Sequence, residues 1–200
     1  MARKVFFSFH FKRDAWRAGQ VRNADLLADE DEYGVVDAAE WEKLEKEGDT
    51  AIMRWINEQL QNTSVTVVLI GAETAERDWV NYEIRKSWER GNAIVGLRIH
   101  NVKNQEQKTD LPGINPLDQI FLADDKPLSS VCKTYDWSTD DGRNNLGQWV
   151  ENAYNARQSY EGVSSLKPRQ ESDTNKAFRT SIPSSNPTPR AFTPRAPWGN

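Results

Sequence analysis

Few residues of this 200-residue chain combine a reactive type with a telling spacing. The clearest set is the run Arg77-Asp78-Trp79-Val80-Asn81-Tyr82-Glu83-Ile84, a carboxylate among aromatics. Trp79 and Glu83 are four residues apart, so on a helix they share a face about one turn apart. Two readings are open at this point. The pair is a carboxylate set beside an indole in a cleft, or it is ordinary helix, with Glu83 paired to Lys86 and Trp79 in the core.

Other chemistries lack their residues. No Gly-x-Gly-x-x-Gly follows the first apolar run, and there is no Walker loop. A receiver domain wants acidic residues just after its first strand, and residues 8–13 contain none. Two histidines, His10 and His100, with the single Cys132 make a structural zinc site improbable, and no metal is expected. The acidic stretch 136–142 places its glycine wrongly for a calcium loop and lacks the closing glutamate, so it reads as a polar turn. Ser8 sits in no nucleophile elbow.

The elements that must position Trp79 and Glu83 follow from hydrophobic patterning. Residues 3–9 read as a strand buried on both faces, with His10 at its polar exit. Asp14 is a candidate N-cap for a helix over 15–27. A short second strand is expected at 33–37. Asp49 is expected to cap a helix whose Ile52, Trp55, Ile56 and Leu60 form one apolar stripe. The strand at 65–70 is the plainest in the chain. A helix over 77–90 ends at Gly91, a natural left-handed C-cap. A buried strand at 94–99, a loop-rich stretch over 101–128, an edge strand at 131–137 and a closing helix at 146–154 complete the pattern. Strands alternating with helices imply a three-layer α/β sandwich with a mostly parallel sheet. Ligands in such folds bind at the carboxyl ends of the strands, which gathers Phe9 and His10, residues 37–41 and residues 71–83.

Composition bounds the rest. Thirty acidic residues outnumber 26 basic ones, so a broad basic face for nucleic acid is not expected. The longest apolar runs are far short of the roughly 20 residues of a membrane helix, and no membrane partner is expected. One cysteine fits a reducing, cytoplasmic setting. The mean hydropathy of -0.80 is low for a packed domain, and the composition changes near residue 157. Residues 158–200 hold six of the nine prolines, with seven serines and four threonines. Six basic residues against three acidic ones give this tail +3, which leaves -7 for residues 1–157. The tail has no apolar period and is expected to be flexible. Its near-duplicate ending, Thr188-Pro189-Arg190-Ala191-Phe192 and Thr193-Pro194-Arg195-Ala196-Pro197-Trp198, reads as a solvated extension or as a docking segment anchored by Phe192 and Trp198.

Taken together these residues carry a resemblance. Val5-Phe6-Phe7-Ser8-Phe9-His10 is similar to the first strand of TIR domains. Trp79 to Ile84, followed by Gly91-Asn92-Ala93-Ile94-Val95, resembles the TIR helix whose catalytic glutamate lies four residues after a tryptophan. With Val21-Arg22-Asn23, Gly34-Val35-Val36-Asp37-Ala38, Trp41-Glu42, Asn62 to Gly71, Tyr135-Asp136-Trp137 and Asp140-Asp141-Gly142, the match is closer still to the bacterial TIR-like family of the Thoeris anti-phage system that contains ThsB. The resemblance covers about residues 1–155.

It implies a TIR-like, flavodoxin-like topology over 1–157, with 158–200 as a tail. It also implies cleavage of NAD, as substrate and not cofactor, at the nicotinamide–ribose bond. In that role Glu83 is the catalytic carboxylate. Trp79 orients it or walls the pocket, and Phe9 and Trp41 offer aromatic surfaces to the nicotinamide or adenine. His10 and Arg22 are candidates for the diphosphate, although His10 also reads as a polar strand end and Arg22 as a surface ion pair. Asp37 is a further binding candidate that otherwise caps the next helix. The implied product is a signalling nucleotide, a cyclic ADP-ribose isomer or an ADP-ribose conjugate, that activates a separate effector. A phage-derived activator and self-association through TIR domains are implied partners. The competing readings are a non-catalytic TIR scaffold acting by protein–protein contacts and a plain nucleotide-binding module.

Overall fold

The computed structural model describes residues 3–23, 38–158 and 165–168. Four apolar runs pair into one parallel sheet in the order β1-β2-β3-β4, with β1 at Val5–Ser8, β2 at Val65–Ile70, β3 at Ala93–Arg98 and β4 at Thr134–Asp136. The register sets Val5 beside Val65, Val65 beside Ala93 and Gly96 beside Thr134. Parallel pairing demands a crossover between strands. Helices α1 (Phe11–Arg22), α2 (Ala38–Glu47) and α3 (Asp49–Leu60) lie between β1 and β2, and α4 (Asp78–Glu89) lies between β2 and β3. The β3-to-β4 connection holds only two 3-10 turns, and α5 (Gly142–Gln158) follows β4.

Alternation along the strands divides the core into two faces. Val5, Phe7, Val65, Val67 and Leu69 pack with Ala18 and Val21 of α1 and with Leu146, Trp149 and Val150 of α5. Val68 and Ile70 pack against Val80, Ile84 and Trp88 of α4. Phe6 meets Ile52, Ile56 and Leu60 of α3. The expected three-layer sandwich is therefore present. α4 ends in a Schellman motif: Gly91, at φ 88°, donates its N–H to Trp88 O at 3.0 Å, and Asn92 donates to Ser87 O at 2.9 Å.

Three local expectations differ from the structure, and one falls outside the described residues. α1 begins at Phe11, with His10 in the N-cap position, so Asp14 caps nothing. Asp14 lies inside the helix at 0 % exposure, 2.9 Å from the Arg17 guanidinium. Burial pushes its carboxyl above the ordinary range, against the opposing pull of Arg17. Gly48, at φ 93°, takes the cap position of α3, and Asp49 opens the first turn, where its charge suits the helix dipole. The second strand expected at 33–37 lies outside the described residues. Finally, residues 165–167 of the tail join the core. Leu166 bridges Leu122 in antiparallel fashion and packs against the cluster around α4. Lys167 N–H donates to Phe121 O at 2.8 Å, and Arg85 donates to Lys167 O at 2.9 Å. The compact unit thus runs to Lys167, ten residues past the expected boundary.

Arg17 ties α1 to the segment after β3. Nearly fully buried, it donates to Val102 O at 2.7 Å and Lys108 O at 3.3 Å, and pairs with Asp110 at 3.0 Å. Removing one partner of a buried pair leaves an uncompensated charge, whereas replacing both is far milder. Arg17→Met is therefore expected to lose about 3–5 kcal/mol in urea unfolding, and adding Asp14→Leu to recover most of that loss.

Candidate active site

Glu83 owes its environment to its place on α4. The buried stripe of that helix runs through Val80, Ile84, Ser87 and Trp88, and Glu83 falls on the same stripe at 7 % exposure. Strand parity supplies its partner. Ser8 lies two residues beyond Phe6 on β1, so it faces the same layer as Phe6. The Ser8 hydroxyl donates to Glu83 Oε2 at 2.5 Å. Burial pushes the Glu83 carboxyl from its ordinary 4.5 up to about 8, and the Ser8 bond, which favours the ionised form, opposes that rise. The empty site therefore holds a mostly neutral carboxyl at pH 7.

Glu83 lies in the wall of a cleft at the carboxyl end of β1, with about 720 Å³ of space between its walls, part of it open to solvent. The cleft is lined by Phe9, Phe11, Trp41, Trp55 and Trp79. Phe11 stacks on Trp41 with centroids 5.5 Å apart and planes at 26°. Phe9 sits 6.2 Å from Phe11. Trp79 meets Tyr82 edge-on at 6.1 Å. Trp41 is fixed at its polar edge as well, since its indole N–H donates to Glu45 Oε1 at 2.9 Å, and the same oxygen pairs with Lys12 at 3.0 Å.

The remaining polar lining consists of Lys12, Arg77, His10 and the Glu45 carboxylate already paired with Lys12. Burial first, and then the Arg77 charge, hold the His10 imidazole below its ordinary value, so it is neutral at pH 7. His10 and Arg77 are also the N-cap residues of α1 and α4, and neither caps with its side chain. Both helices thus turn their N-terminal, partially positive ends toward the cleft.

Five residues singled out from the sequence meet here: Glu83, Trp79, Phe9, His10 and Trp41. Arg22 does not. It ends α1, eleven residues beyond Phe11, or about 16 Å at the helical rise. Asp37 lies outside the described residues. The alternative pairing of Glu83 with Lys86 is absent, because Lys86 bonds Glu89 at 2.6 Å while Glu83 holds Ser8. Trp79 is half-buried at the wall and not in the deep core. Residues not anticipated are Ser8 as a partner of Glu83, with Phe11, Lys12, Trp55 and Arg77 in the lining. The parity of β1 was the available signal for Ser8. An earlier start to α1 would have indicated Phe11 and Lys12. Among the described residues no group of three or more His, Cys, Asp or Glu is placed to hold a metal, and no helix is long and apolar enough to cross a membrane.

This arrangement meets two matches among known proteins. The family model described as "Thoeris protein ThsB, TIR-like domain" matches residues 6–104, which takes in β1 from Phe6 on, α4 and every residue of the cleft. A curated protein of Bacillus cereus (strain MSX-D12), described as "Putative cyclic ADP-D-ribose synthase ThsB1", is 36 % identical over 191 residues, spanning 75 % of this chain and 100 % of the relative.

The protonation of Glu83 has a consequence for stability. The unfolded chain releases this proton near 4.5 and the folded one near 8, so the folded state binds more protons between those values. Stability contributed at this position therefore falls as pH rises through that window. Glu83→Gln removes the effect. Urea unfolding is expected to find the variant gaining on the wild type as pH goes from 5 to 8.5.

Proposed function

The chain belongs to the TIR-like domain family of Thoeris protein ThsB, and on that premise we propose that it cleaves NAD at the nicotinamide–ribose bond with Glu83 as the catalytic carboxylate. The observation that carries the proposal is an acid buried at an aromatic cleft, where the Ser8 hydroxyl bonds it. When the glycosidic bond breaks, its electron pair leaves with nicotinamide, which is cationic while bonded and departs neutral without needing a proton. Positive charge then develops on the ribosyl carbon and ring oxygen. An ionised carboxylate at the ribose hydroxyls stabilises that charge and fixes the ring.

The raised pKa suits this task. The empty carboxyl is held mostly neutral by its surroundings. A bound cationic nicotinamide favours the ionised form and draws the proton off. Desolvation, which disfavours the charge in the empty cleft, then strengthens its attraction to the developing cation. The stacked Phe11 and Trp41, with Phe9 and Trp79, offer flat faces to the nicotinamide and adenine. Lys12, Arg77 and the N-terminal ends of α1 and α4 suit the diphosphate. Arg22 has no part in this arrangement.

The ribosyl cation is captured by water or by an atom of the nucleotide itself. We favour the second route, giving a cyclic ADP-ribose-type signal for a separate effector. The description of the Bacillus cereus relative supports it. A phage-derived trigger and assembly of TIR copies remain part of the same proposal, since an unregulated enzyme would drain NAD.

Nicotinamide release, followed by chromatography, tests the reading. Glu83→Gln is expected to lower the rate about 10²- to 10³-fold while the variant stays folded. Release at the wild-type rate would refute the role of Glu83. For the wild type, kcat/KM is expected to rise with pH along a limb set by the free carboxyl, near 8. Ser8→Ala removes the hydrogen bond that favours ionisation, so its limb is expected to move to higher pH and its rate at pH 7 to fall.

A further inference from the structure

Glu73 follows β2 in the segment that leads into α4. Three cation-capable side chains, two from the start of α1 and one from the start of α4, converge on its carboxylate. Arg13 of α1 donates to Oε1. His10 approaches Oε2 to 3.6 Å, and Arg77, the N-cap of α4, approaches the same oxygen to 3.8 Å. Two of these three, His10 and Arg77, also line the cleft. Resting on the NAD reading above, we propose that Glu73 is an internal placeholder for the substrate's diphosphate, a carboxylate that occupies the anion site of the empty enzyme and that a nucleoside diphosphate must displace.

The geometry favours a placeholder over a structural tie, because Arg13, the guanidinium that bonds Glu73 most closely, does not depend on it for its position. Arg13 is held independently by Asp110, through Nε at 3.3 Å and Nη2 at 3.2 Å. Asp110 is in turn fixed by the buried Arg17 at 3.0 Å. The backbone of Arg77 is anchored at the start of α4, where its carbonyl accepts from Asn81 N–H at 3.0 Å, so its side chain extends from a fixed point toward the cleft. The Glu73 backbone is also anchored next door. Thr74, fully buried, accepts from Gly71 N–H at 2.9 Å and donates to Leu69 O at 3.2 Å. Only the Glu73 side chain, more than a third exposed, has to swing. Displacing it leaves Arg13 and Arg77 converging on whatever anion arrives. Two phosphates carry more charge than one carboxylate, so a diphosphate outcompetes Glu73 where a neutral or singly charged ligand does not. The placeholder therefore both lowers affinity and selects for the diphosphate.

The test is calorimetric titration of the full-length protein with ADP, which lacks the scissile bond, beside adenosine as its neutral, phosphate-free counterpart. At low ionic strength Glu73→Gln is expected to bind ADP about fivefold more tightly than wild type, the range of one or two exposed ion pairs, with adenosine unchanged. At about 1 M salt the gain is expected to vanish. Glu76→Gln removes an equal charge from a neighbouring exposed position and is expected to give a clearly smaller gain. Unchanged or weaker ADP binding by Glu73→Gln, an equal gain from Glu76→Gln, or no ADP binding by either protein would overturn the proposal. Failure of the NAD reading looks different: ADP binding would respond to Glu73→Gln while no variant released nicotinamide.

Discussion

Everything at the cleft depends on the desolvation of one carboxyl. Glu83 sits on the face of α4 that packs the sheet, where Val80, Ile84 and Trp88 exclude water. Among the described residues a single hydroxyl, from Ser8, meets it. A buried acid with one hydrogen bond stays protonated, and the about 8 reached by its pKa expresses that cost. The fold tolerates the cost at one edge of a large apolar interface. Strongly perturbed acids beside clefts are candidates for chemistry, and here the perturbation has a definite cause in helix periodicity and strand parity.

A second layer of polar contacts sets the geometry around that acid. Arg17 and Asp14, buried inside α1, reach the segment after β3 through Val102, Lys108 and Asp110. Asp110 then steadies Arg13. The chain of ion pairs fixes the angle at which α1 leaves β1, and so the place where Phe9, His10, Phe11 and Lys12 project. Gly71 and Gly113 permit the close packing behind it. A Cβ on Gly71 would lie 2.3 Å from the Asp14 carboxylate, and one on Gly113 would lie 2.2 Å from Gly71 O. The aromatic cleft is thus carried on strand ends and helix starts that are cross-linked from behind, which is how a site on loops keeps its shape.

Much of this was legible in the sequence, for physical reasons that differ by element. β2 and β3 were plain because strands buried on both faces show unbroken apolar runs. α3 and α4 were plain because their stripes keep helical spacing and Gly91 closes the second of them. Glu83 with Trp79 was legible as a pair, yet spacing could not tell solvent from core. The answer came from β1, whose Ser8 is visible as a partner only once the strand's facing is known. Asp14 misled because acidic residues favour N-caps, a local preference overridden by a buried guanidinium three residues on. Arg22 was named through the resemblance, and the length of α1 places it away from the cleft lining. Leu166 carried no signal, being one apolar residue in a segment without a period, and it is held by backbone pairing to Leu122.

The ionisation of Glu83 is open to direct observation. Carbon-13 NMR of protein labelled at the glutamate carboxyl, assigned with Glu83→Gln and titrated with and without a non-cleavable cationic analogue of NAD, reads it one group at a time. A carboxyl that titrates near 8 when the cleft is empty, and at clearly lower pH once the cation is bound, is the expected result. A carboxyl that titrates near its ordinary 4.5, or one that ignores the bound cation, would contradict the central claim.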